Sequence, residues 1–216
     1  MKADTIQNTA NARPPRHSHF PVALFTLLFG YCVFALPSLS APRGLTIKET
    51  TRHYSISGRT PSEFAASMNR NGPFSFAHRR RAWATATREL SYQLVRQNRN
   101  GRCSVRNARV TMTIKYVLPK LRKARSDSSR SRKIWQRMSA LLVKHERRHG
   151  SLYKQFARKA HRELNRLKPQ RTCRALELEA SRTIQRLSAE DERRNQEFDR
   201  RDQRNYRSME RLVRQS

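Results

Sequence analysis

Two histidines and a glutamate stand at a spacing that could bind a metal ion and use it for hydrolysis. His145, Glu146 and His149 form an HExxH motif. On a helix, residues four apart lie on one face, so the two imidazoles can hold one zinc ion while the intervening glutamate reaches a water molecule beside it. The motif predicts a zinc hydrolase with Zn²⁺ as cofactor, His145 and His149 as metal ligands and Glu146 as catalytic base.

The segment around the motif has the pattern of a long amphipathic helix. Apolar residues recur at helical spacing at Met138, Leu141, Leu142, Leu152, Phe156, Ala160, Leu164 and Leu167. Both histidines fall within this stripe, which is expected to face the core. We predict a helix over residues 133–167 and a second, more polar helix over 175–213. The alternative interpretation is that the two histidines only pack among apolar neighbours.

A third metal ligand must come from another element. His161 and Glu163 follow His149 by 12 and 14 residues, which places them roughly 18 to 21 Å away along a continuous helix. If the chain reverses around residues 169–172, antiparallel counting places a residue near position 193 opposite the motif. The acidic candidates near that position are Glu190, Glu192, Glu197 and Asp199.

The N-terminus resembles a signal for export. Basic residues precede an uncharged run over 22–36, and small residues follow at Ser38, Ser40 and Ala41. We predict a signal peptide over residues 1–40, transient membrane association through residues 20–36, and a periplasmic or secreted protein. The alternative is an uncleaved segment that anchors the chain to the inner membrane, although the run is short for a membrane span.

The cysteines are consistent with export. Cys32 lies in the segment expected to be removed, which leaves Cys103 and Cys173. An even pair in an oxidising compartment predicts a disulfide. Two free thiols are the alternative.

The chain is strongly basic, with 47 Lys and Arg against 16 Asp and Glu, a formal net charge of +31. Such a surface attracts polyanions without specificity. The basic residues are dispersed along the sequence, aromatic residues are few, and no nucleic-acid-binding motif is present. We therefore expect no specific nucleic-acid recognition, while non-specific polyanion binding is compatible with the charge.

The remaining pattern predicts one α+β domain over residues 41–216. A strand over 45–57 is followed by a short helix that begins after the N-cap Thr60 and ends near Asn69. Strands over 82–95 and 103–118 are expected to pair as a hairpin through the turn at 98–101, followed by an exposed loop over 120–133. We predict a small antiparallel sheet packed against the motif helix and a C-terminal helical hairpin. Residues 110–118 are expected to be an edge strand that could align a peptide.

The order of these features resembles a bacterial family of predicted secreted zinc-dependent proteases, whose function is uncharacterised. The shared markers are Tyr54 to Gly58, Gly72-Pro73, Trp83, Leu118-Pro119, Trp135, the HExxH motif and Cys173. The resemblance covers residues 41–216 and implies a zincin-like metallopeptidase fold.

The same resemblance points to the third ligand. The family carries a C-terminal Tyr-Asp-x-x-Thr-x-His-Gly motif, and the matching residues here are 198–205. They keep Asp199 but place Arg204 where the family has histidine. If that histidine is the family's third ligand, this chain lacks it, and zinc would depend on Asp199, Asp202 or solvent. Of these, Asp199 is the predicted third ligand.

The combined prediction is a secreted or periplasmic zinc metallopeptidase that hydrolyses peptide bonds in protein or peptide substrates. Lys144, Arg147 and Arg148 flank the motif, so we expect acidic substrates to be favoured. The alternative function is a non-catalytic basic module, a pseudoenzyme that binds anionic envelope polymers or nucleic acid.

Overall fold

The computed structural model describes residues 43–75, 79–122 and 128–214. The predicted signal peptide, residues 1–40, lies outside the described residues. Within the described ranges, none of the helices combines the length and the hydropathy needed to cross a membrane.

The fold is α+β, as predicted. Its elements in chain order are β1 (Leu45–Ile56), α1 (Pro61–Asn71), β2 (Phe74–Ser75), β3 (Arg80–Arg81), β4 (Thr85–Arg99), β5 (Arg102–Leu121), α2 (Ser129–Asn165) and α3 (Cys173–Arg214). The two long helices correspond to the predicted motif helix and the predicted C-terminal helix.

The main sheet has three strands in the order β1-β5-β4. β4 and β5 form the predicted antiparallel hairpin, whose turn residues Asn100 and Gly101 have φ values of 50° and 71°. Such left-handed conformations favour Asn and Gly in tight hairpin turns. A second, two-stranded sheet consists of β2 and β3.

The prediction of an antiparallel sheet was wrong for β1. This strand runs parallel to β5, with Leu45 opposite Val110 and Ile56 opposite Leu121, so the sheet is mixed. Residues 110–118 consequently belong to the central strand rather than to an edge. The alternation in β5 is the same whether it has one neighbour or two, because side chains alternate between faces in either case. Only the return of the chain from β1 through α1 decides the parallel pairing.

Local signals place the helix starts. Thr60 caps α1, because its side-chain oxygen accepts a hydrogen bond from the backbone N–H of Glu63, and Pro61 occupies the first turn. Ser128 caps α2 in the same way by accepting from Ser131 N–H. The predicted loop over 120–133 was therefore too long, since β5 continues to Leu121 and α2 begins at Ser129.

The core lies between the sheet and the two long helices. β5 buries alternate residues, from Ala108 through Met112 to Tyr116, toward α2. α2 contributes Met138, Leu142, Phe156 and Leu164, and α3 contributes Ala180, Leu187 and Met209. The predicted apolar stripe of α2 is thus the face that carries the motif histidines into the interior.

A disulfide ties the turn between the long helices to the sheet. The sulfur atoms of Cys103 and Cys173 lie 2.03 Å apart. The backbone groups of Cys103 and Gln170 also exchange two hydrogen bonds of 2.9 and 2.8 Å. These contacts hold the start of α3 beside the start of β5, and they therefore restrict how α3 can slide along α2.

Candidate metal centre

The HExxH motif lies on the buried face of α2. His145, Glu146 and His149 are 6%, 4% and 8% exposed. Gly150 lets this part of the helix approach the sheet, because a Cβ atom there would lie 1.8 Å from the hydroxyl oxygen of Tyr116. The motif is therefore held directly against the central strand β5.

Asp199 on α3 completes a cluster with the two histidines. The Nε2 atoms of His145 and His149 are 3.1 Å apart. Asp199 Oδ1 lies 3.0 Å from Nε2 of His149 and 3.4 Å from Nε2 of His145. Three potential ligand atoms thus converge on one point between α2 and α3, and these residues could hold a metal ion.

The outer nitrogens of both imidazoles have acceptors on α3. His145 Nδ1 lies 2.7 Å from Asp202 Oδ2, and His149 Nδ1 lies 2.7 Å from Asn195 Oδ1. Asn195 Nδ2 donates to the carbonyl of Asp191, which fixes Oδ1 as the atom that faces His149. Because carboxylate and amide oxygens only accept, the Nδ1 atoms carry the protons and the Nε2 lone pairs point into the cluster.

The electrostatics of the cluster favour a bound cation. Two imidazole lone pairs and a carboxylate oxygen face one another at 3.0 to 3.4 Å, which is repulsive unless a proton or a metal ion lies between them. Burial alone would lower the pKa of both histidines, but Asp199, together with Asp202 at His145 and Asn195 at His149, raises it. Burial alone would raise the pKa of Asp199, but the two histidines, when their Nε2 atoms are protonated, hold it well below its ordinary value.

Glu146 lies on the sheet side of the cluster. Burial raises the pKa of its carboxyl group, against the opposing effects of His145 and His149. The backbone N–H of Ala86, near the start of β4, hydrogen-bonds to this carboxyl group. The carbonyl of Ala86 accepts a 3.2 Å hydrogen bond from the Tyr153 hydroxyl on α2. Glu146 is thus oriented by the strand rather than by another titratable side chain.

Aromatic rings enclose the imidazoles. The ring centroid of Phe198 lies 4.9 Å from that of His145 and 5.0 Å from that of His149. Tyr206 packs edge-on against His145 at 5.1 Å, and Tyr153 lies parallel to His149 at 6.3 Å. These contacts restrict rotation of both imidazoles and reduce the access of water to them.

A buried ion pair supports the α3 side of the cluster. Arg88 on β4 lies 2.7 Å from Asp191 through its Nε atom and Oδ2, and its guanidinium stacks over Phe156 at 4.5 Å. Burial raises the pKa of Asp191, while Arg88 opposes the rise. This pair connects β4 to the turn of α3 that orients Asn195.

The structure separates the acidic candidates for the third ligand. Glu190 pairs with Lys159, Glu192 accepts a hydrogen bond from Gln196, and Glu197 pairs with Arg201, so these three are engaged elsewhere. Asp199 alone among the four joins the histidines. Antiparallel counting pointed to position 193 and was short by several residues, because it assumed equal, straight helices and a fixed turn.

The basic residues that were singled out near the predicted site lie on the surface, outside the cluster. Arg204 is exposed, so its cation is not buried in the cluster. Lys144, Arg147 and Arg148 are all exposed, and Arg147 pairs with Glu49 at 3.2 Å and lies over the ring of Tyr116.

The sequence analysis did not identify the roles of Asn195 and Asp191, and it named Asp202 only as an alternative ligand. The spacing of these residues could have indicated that they belong to one site. Asp191, Asn195, Asp199 and Asp202 follow one another at intervals of four, four and three, which places them on one helical face. Four short polar residues along the buried face of a helix are unusual enough to indicate a site.

Comparison with known proteins gives a family match. The family model described as "Bacterial protein of unknown function (DUF922)" matches residues 51–206, which include His145, Glu146, His149 and Asp199 and the residues that hydrogen-bond to the histidines. No curated protein and no solved structure gives a significant match to the chain.

Proposed function

We propose that this chain, which belongs to the bacterial family of unknown function DUF922, is a zinc-dependent metallopeptidase with a zincin-like site. The observation that carries the proposal is the convergence of His145 Nε2, His149 Nε2 and Asp199 Oδ1 beside the buried carboxyl group of Glu146.

The ligand atoms suit zinc in kind and in spacing. Two ligand atoms at about 2.0 to 2.1 Å from a tetrahedral zinc ion are about 3.3 Å apart. The three distances within the cluster are 3.1, 3.0 and 3.4 Å. Calcium and magnesium prefer six or more oxygen ligands, which two imidazoles do not supply. Three protein ligands also leave a fourth position open, as catalytic zinc sites require.

The hydrogen-bond partners fit the same role. Metal-binding histidines commonly donate their other ring N–H to a carboxylate or a carbonyl oxygen, which sets the tautomer and makes the ligand more basic. Asp202 and Asn195 supply these two acceptors at 2.7 Å. A buried histidine pair that served only for packing would also need these acceptors, but it would not need both Nε2 atoms to converge on a carboxylate, as they do on Asp199.

The proposed chemistry divides between the metal and Glu146. His145, His149 and Asp199 would hold the zinc ion, which would supply polarisation of the scissile carbonyl and a water molecule whose pKa is lowered to about 7. Glu146 accepts a proton from the attacking water and later donates it to the leaving amine. Burial raises the pKa of this carboxyl group above that of an exposed glutamate, which favours the return of the proton to the leaving amine. The N–H of Ala86 holds the carboxyl group in place.

We expect protein or peptide substrates, with acidic ones favoured. Arg147 is engaged with Glu49, so the preference would depend on Lys144 and Arg148, which make no ion pair with any described residue. A matched pair of acidic and basic peptides tests this part, and equal cleavage of both contradicts it.

The test of the main proposal is zinc content. Purified protein of residues 41–216 is expected to contain one zinc per chain, and His145→Ala, His149→Ala and Asp199→Asn are each expected to lose most of it. His53→Ala is a matched control, because His53 is exposed on β1. Glu146→Gln should keep zinc and lose peptide hydrolysis.

Two results would contradict the proposal. One is a parent protein that holds no zinc at neutral pH after exposure to excess zinc and gel filtration. The other is a zinc-loaded Glu146→Gln variant that cleaves an unstructured protein substrate as fast as the parent.

We further propose that the protein acts outside the cytoplasm, since Cys103 and Cys173 lie at bonding distance and such pairs persist in oxidising compartments. N-terminal sequencing of the protein recovered from the periplasm or medium of an expressing bacterium tests the predicted cleavage after Ser40. Recovery of an intact N-terminus in the membrane fraction would favour the anchored alternative.

A further inference from the structure

The exposed face of α3 carries an arginine at every seventh position. These residues, which we call the arginine stripe, are Arg186, Arg193, Arg200, Arg207 and Arg214. Seven residues are nearly two turns of a helix, so all five lie on one side of α3 and extend over about 42 Å. All five are exposed, whereas the residues that α3 buries, such as Leu187, Asn195 and Met209, lie on the other side.

The positive charge of the arginine stripe is only partly compensated within the described part of the chain, because Glu190 lies near enough for Arg186 to help lower its pKa. None of its five guanidinium groups forms an ion pair with a described residue. Of the nearby carboxylates, Glu190 pairs with Lys159 and Glu197 with Arg201. Glu210, three residues after Arg207 and four before Arg214, forms no ion pair with a described residue. Arg204 and Arg211, which are also exposed, add two cations to the same side. The stripe is therefore a row of exposed cations along one helix, which turns gradually by about 80° from its first to its last arginine.

The chemistry of the stripe favours a phosphate polymer. Every cation in it is arginine, whose planar guanidinium binds phosphate oxygens through two parallel hydrogen bonds. The stripe contains no aromatic residue on which bases could stack, and no Asn at its five positions to read base edges. Contacts would then be limited to the backbone, which positions a nucleic acid but carries no sequence information.

We propose that the arginine stripe is a docking surface for a nucleic acid strand, bound through its phosphates without sequence preference. By helical counting, the stripe lies opposite the buried residues Asp191, Asn195 and Met209 and about a quarter turn round α3 from Asp199. The stripe contains none of the proposed metal ligands, so the two proposals can fail separately.

The experiment is a salt titration of binding to a fluorescent oligothymidylate long enough to span the stripe. Each phosphate contact with a single strand contributes about 0.7 to the slope of log affinity against log salt concentration. Replacing all five arginines with glutamine is expected to reduce this slope by about 3.5 and to weaken binding at 0.1 M salt by roughly a thousand-fold.

A matched control removes the same charge elsewhere. Arg52, Arg99, Arg102, Arg106 and Arg109 are exposed on the sheet and its hairpin, and they also lack ion pairs with described residues. The corresponding five-glutamine variant is expected to retain a slope near that of the parent. Circular dichroism and the unfolding midpoint should show that both variants remain folded.

Two outcomes would overturn the proposal. Equal losses of affinity and slope in the two five-fold variants would show that binding follows total charge rather than the stripe. Equally tight, equally stripe-dependent binding of poly-glutamate would show that the surface selects any polyanion, so an acidic protein would replace nucleic acid as the partner. Retention of oligothymidylate binding by His145→Ala is expected, and its loss would contradict the independence of the two sites.

Discussion

The strongest quantitative consequence of the cluster concerns Asp202, which we do not expect to touch the metal. Its Oδ2 atom lies 2.7 Å from His145 Nδ1, and its other oxygen accepts a hydrogen bond from Asn205. The carboxylate is thus held in position to orient His145 and to make its Nε2 atom a better ligand. Replacing Asp202 with alanine removes this support while leaving all three proposed ligands in place.

The expected loss can be bounded. Removing a partner of a metal-binding histidine weakens metal affinity by about 10- to 100-fold, or about 1.4 to 2.7 kcal/mol. Asp202→Ala should fall toward the upper end, because the lost hydrogen bond is charge-assisted and the carboxylate is largely buried. Asp202→Asn keeps an oxygen acceptor but removes the charge, so its loss should be smaller.

One opposing effect must be separated in the assay. Burial lowers the pKa of His145, but Asp199 and Asp202 raise it above its ordinary value of 6.5, so protons compete with zinc for this residue. Removing Asp202 reduces that competition and would hide part of the loss near neutral pH. Zinc affinity should therefore be measured at pH 8 by competition with a chromophoric chelator, where the competition is weaker.

The control is Glu197→Ala, which removes an exposed carboxylate from the same helix, one that pairs with Arg201. We expect the zinc affinity of this variant to match the parent. If folded Asp202→Ala binds zinc at pH 8 as tightly as the parent, the reasoning about His145 is refuted, and the 2.7 Å contact would be only a packing feature.

Three further predictions concern stability. Gly150→Ala should lower the free energy of unfolding by about 1 to 3 kcal/mol in urea titrations, because the added Cβ meets the Tyr116 hydroxyl. The loss should shrink in a Tyr116→Phe background, and an unchanged midpoint for Gly150→Ala would contradict the close contact. Burial alone would raise the pKa of Glu49, but Lys154, Tyr116 and Arg147 together lower it. The contribution of the Glu49 carboxylate to the free energy of unfolding is therefore present above pH 4.5 and is lost as the pH falls through the folded-state pKa. Glu49→Gln should therefore be less stable than the parent at pH 6, and the difference should shrink toward pH 3; a constant difference would count against this contribution. The Cys103→Ser, Cys173→Ser double variant should lose about 4 kcal/mol, given the sequence separation of 70 residues, and reductant should affect the parent but not the variant.

The local features of the fold followed from local rules. The capping residues at Thr60 and Ser128 lie at the helix starts, and the period-two alternation of β5 matches its buried face. The turn at Asn100-Gly101 specified the hairpin, because few residues other than Asn and Gly tolerate the positive φ values there. Each of these signals involves residues within a few positions of one another, so the sequence alone contains them.

The pairing of β1 could not be obtained in this way. Its parallel partner β5 lies more than 60 residues along the chain, with Leu45 opposite Val110. Nothing in the alternation of either strand identifies the other, since a parallel and an antiparallel neighbour accept the same side-chain pattern. Whether β1 pairs in a parallel or an antiparallel direction depends on the path of the chain, which runs from β1 through α1 to the β4–β5 hairpin.

The residues of the candidate site also fall into two groups, those that the sequence identified and those that only the tertiary structure selected. The sequence by itself determined His145, Glu146 and His149, because one turn of helix fixes their spacing and the apolar stripe fixes the face on which they lie. Only the tertiary structure chose Asp199 over Glu190, Glu192 and Glu197, since that choice depends on how far α3 slides along α2. The slide is set by the turn after α2, by its attachment to Cys103 and by the packing of both helices on the sheet. A shift of α3 by one turn, about 5.4 Å, would bring a different residue to the histidines.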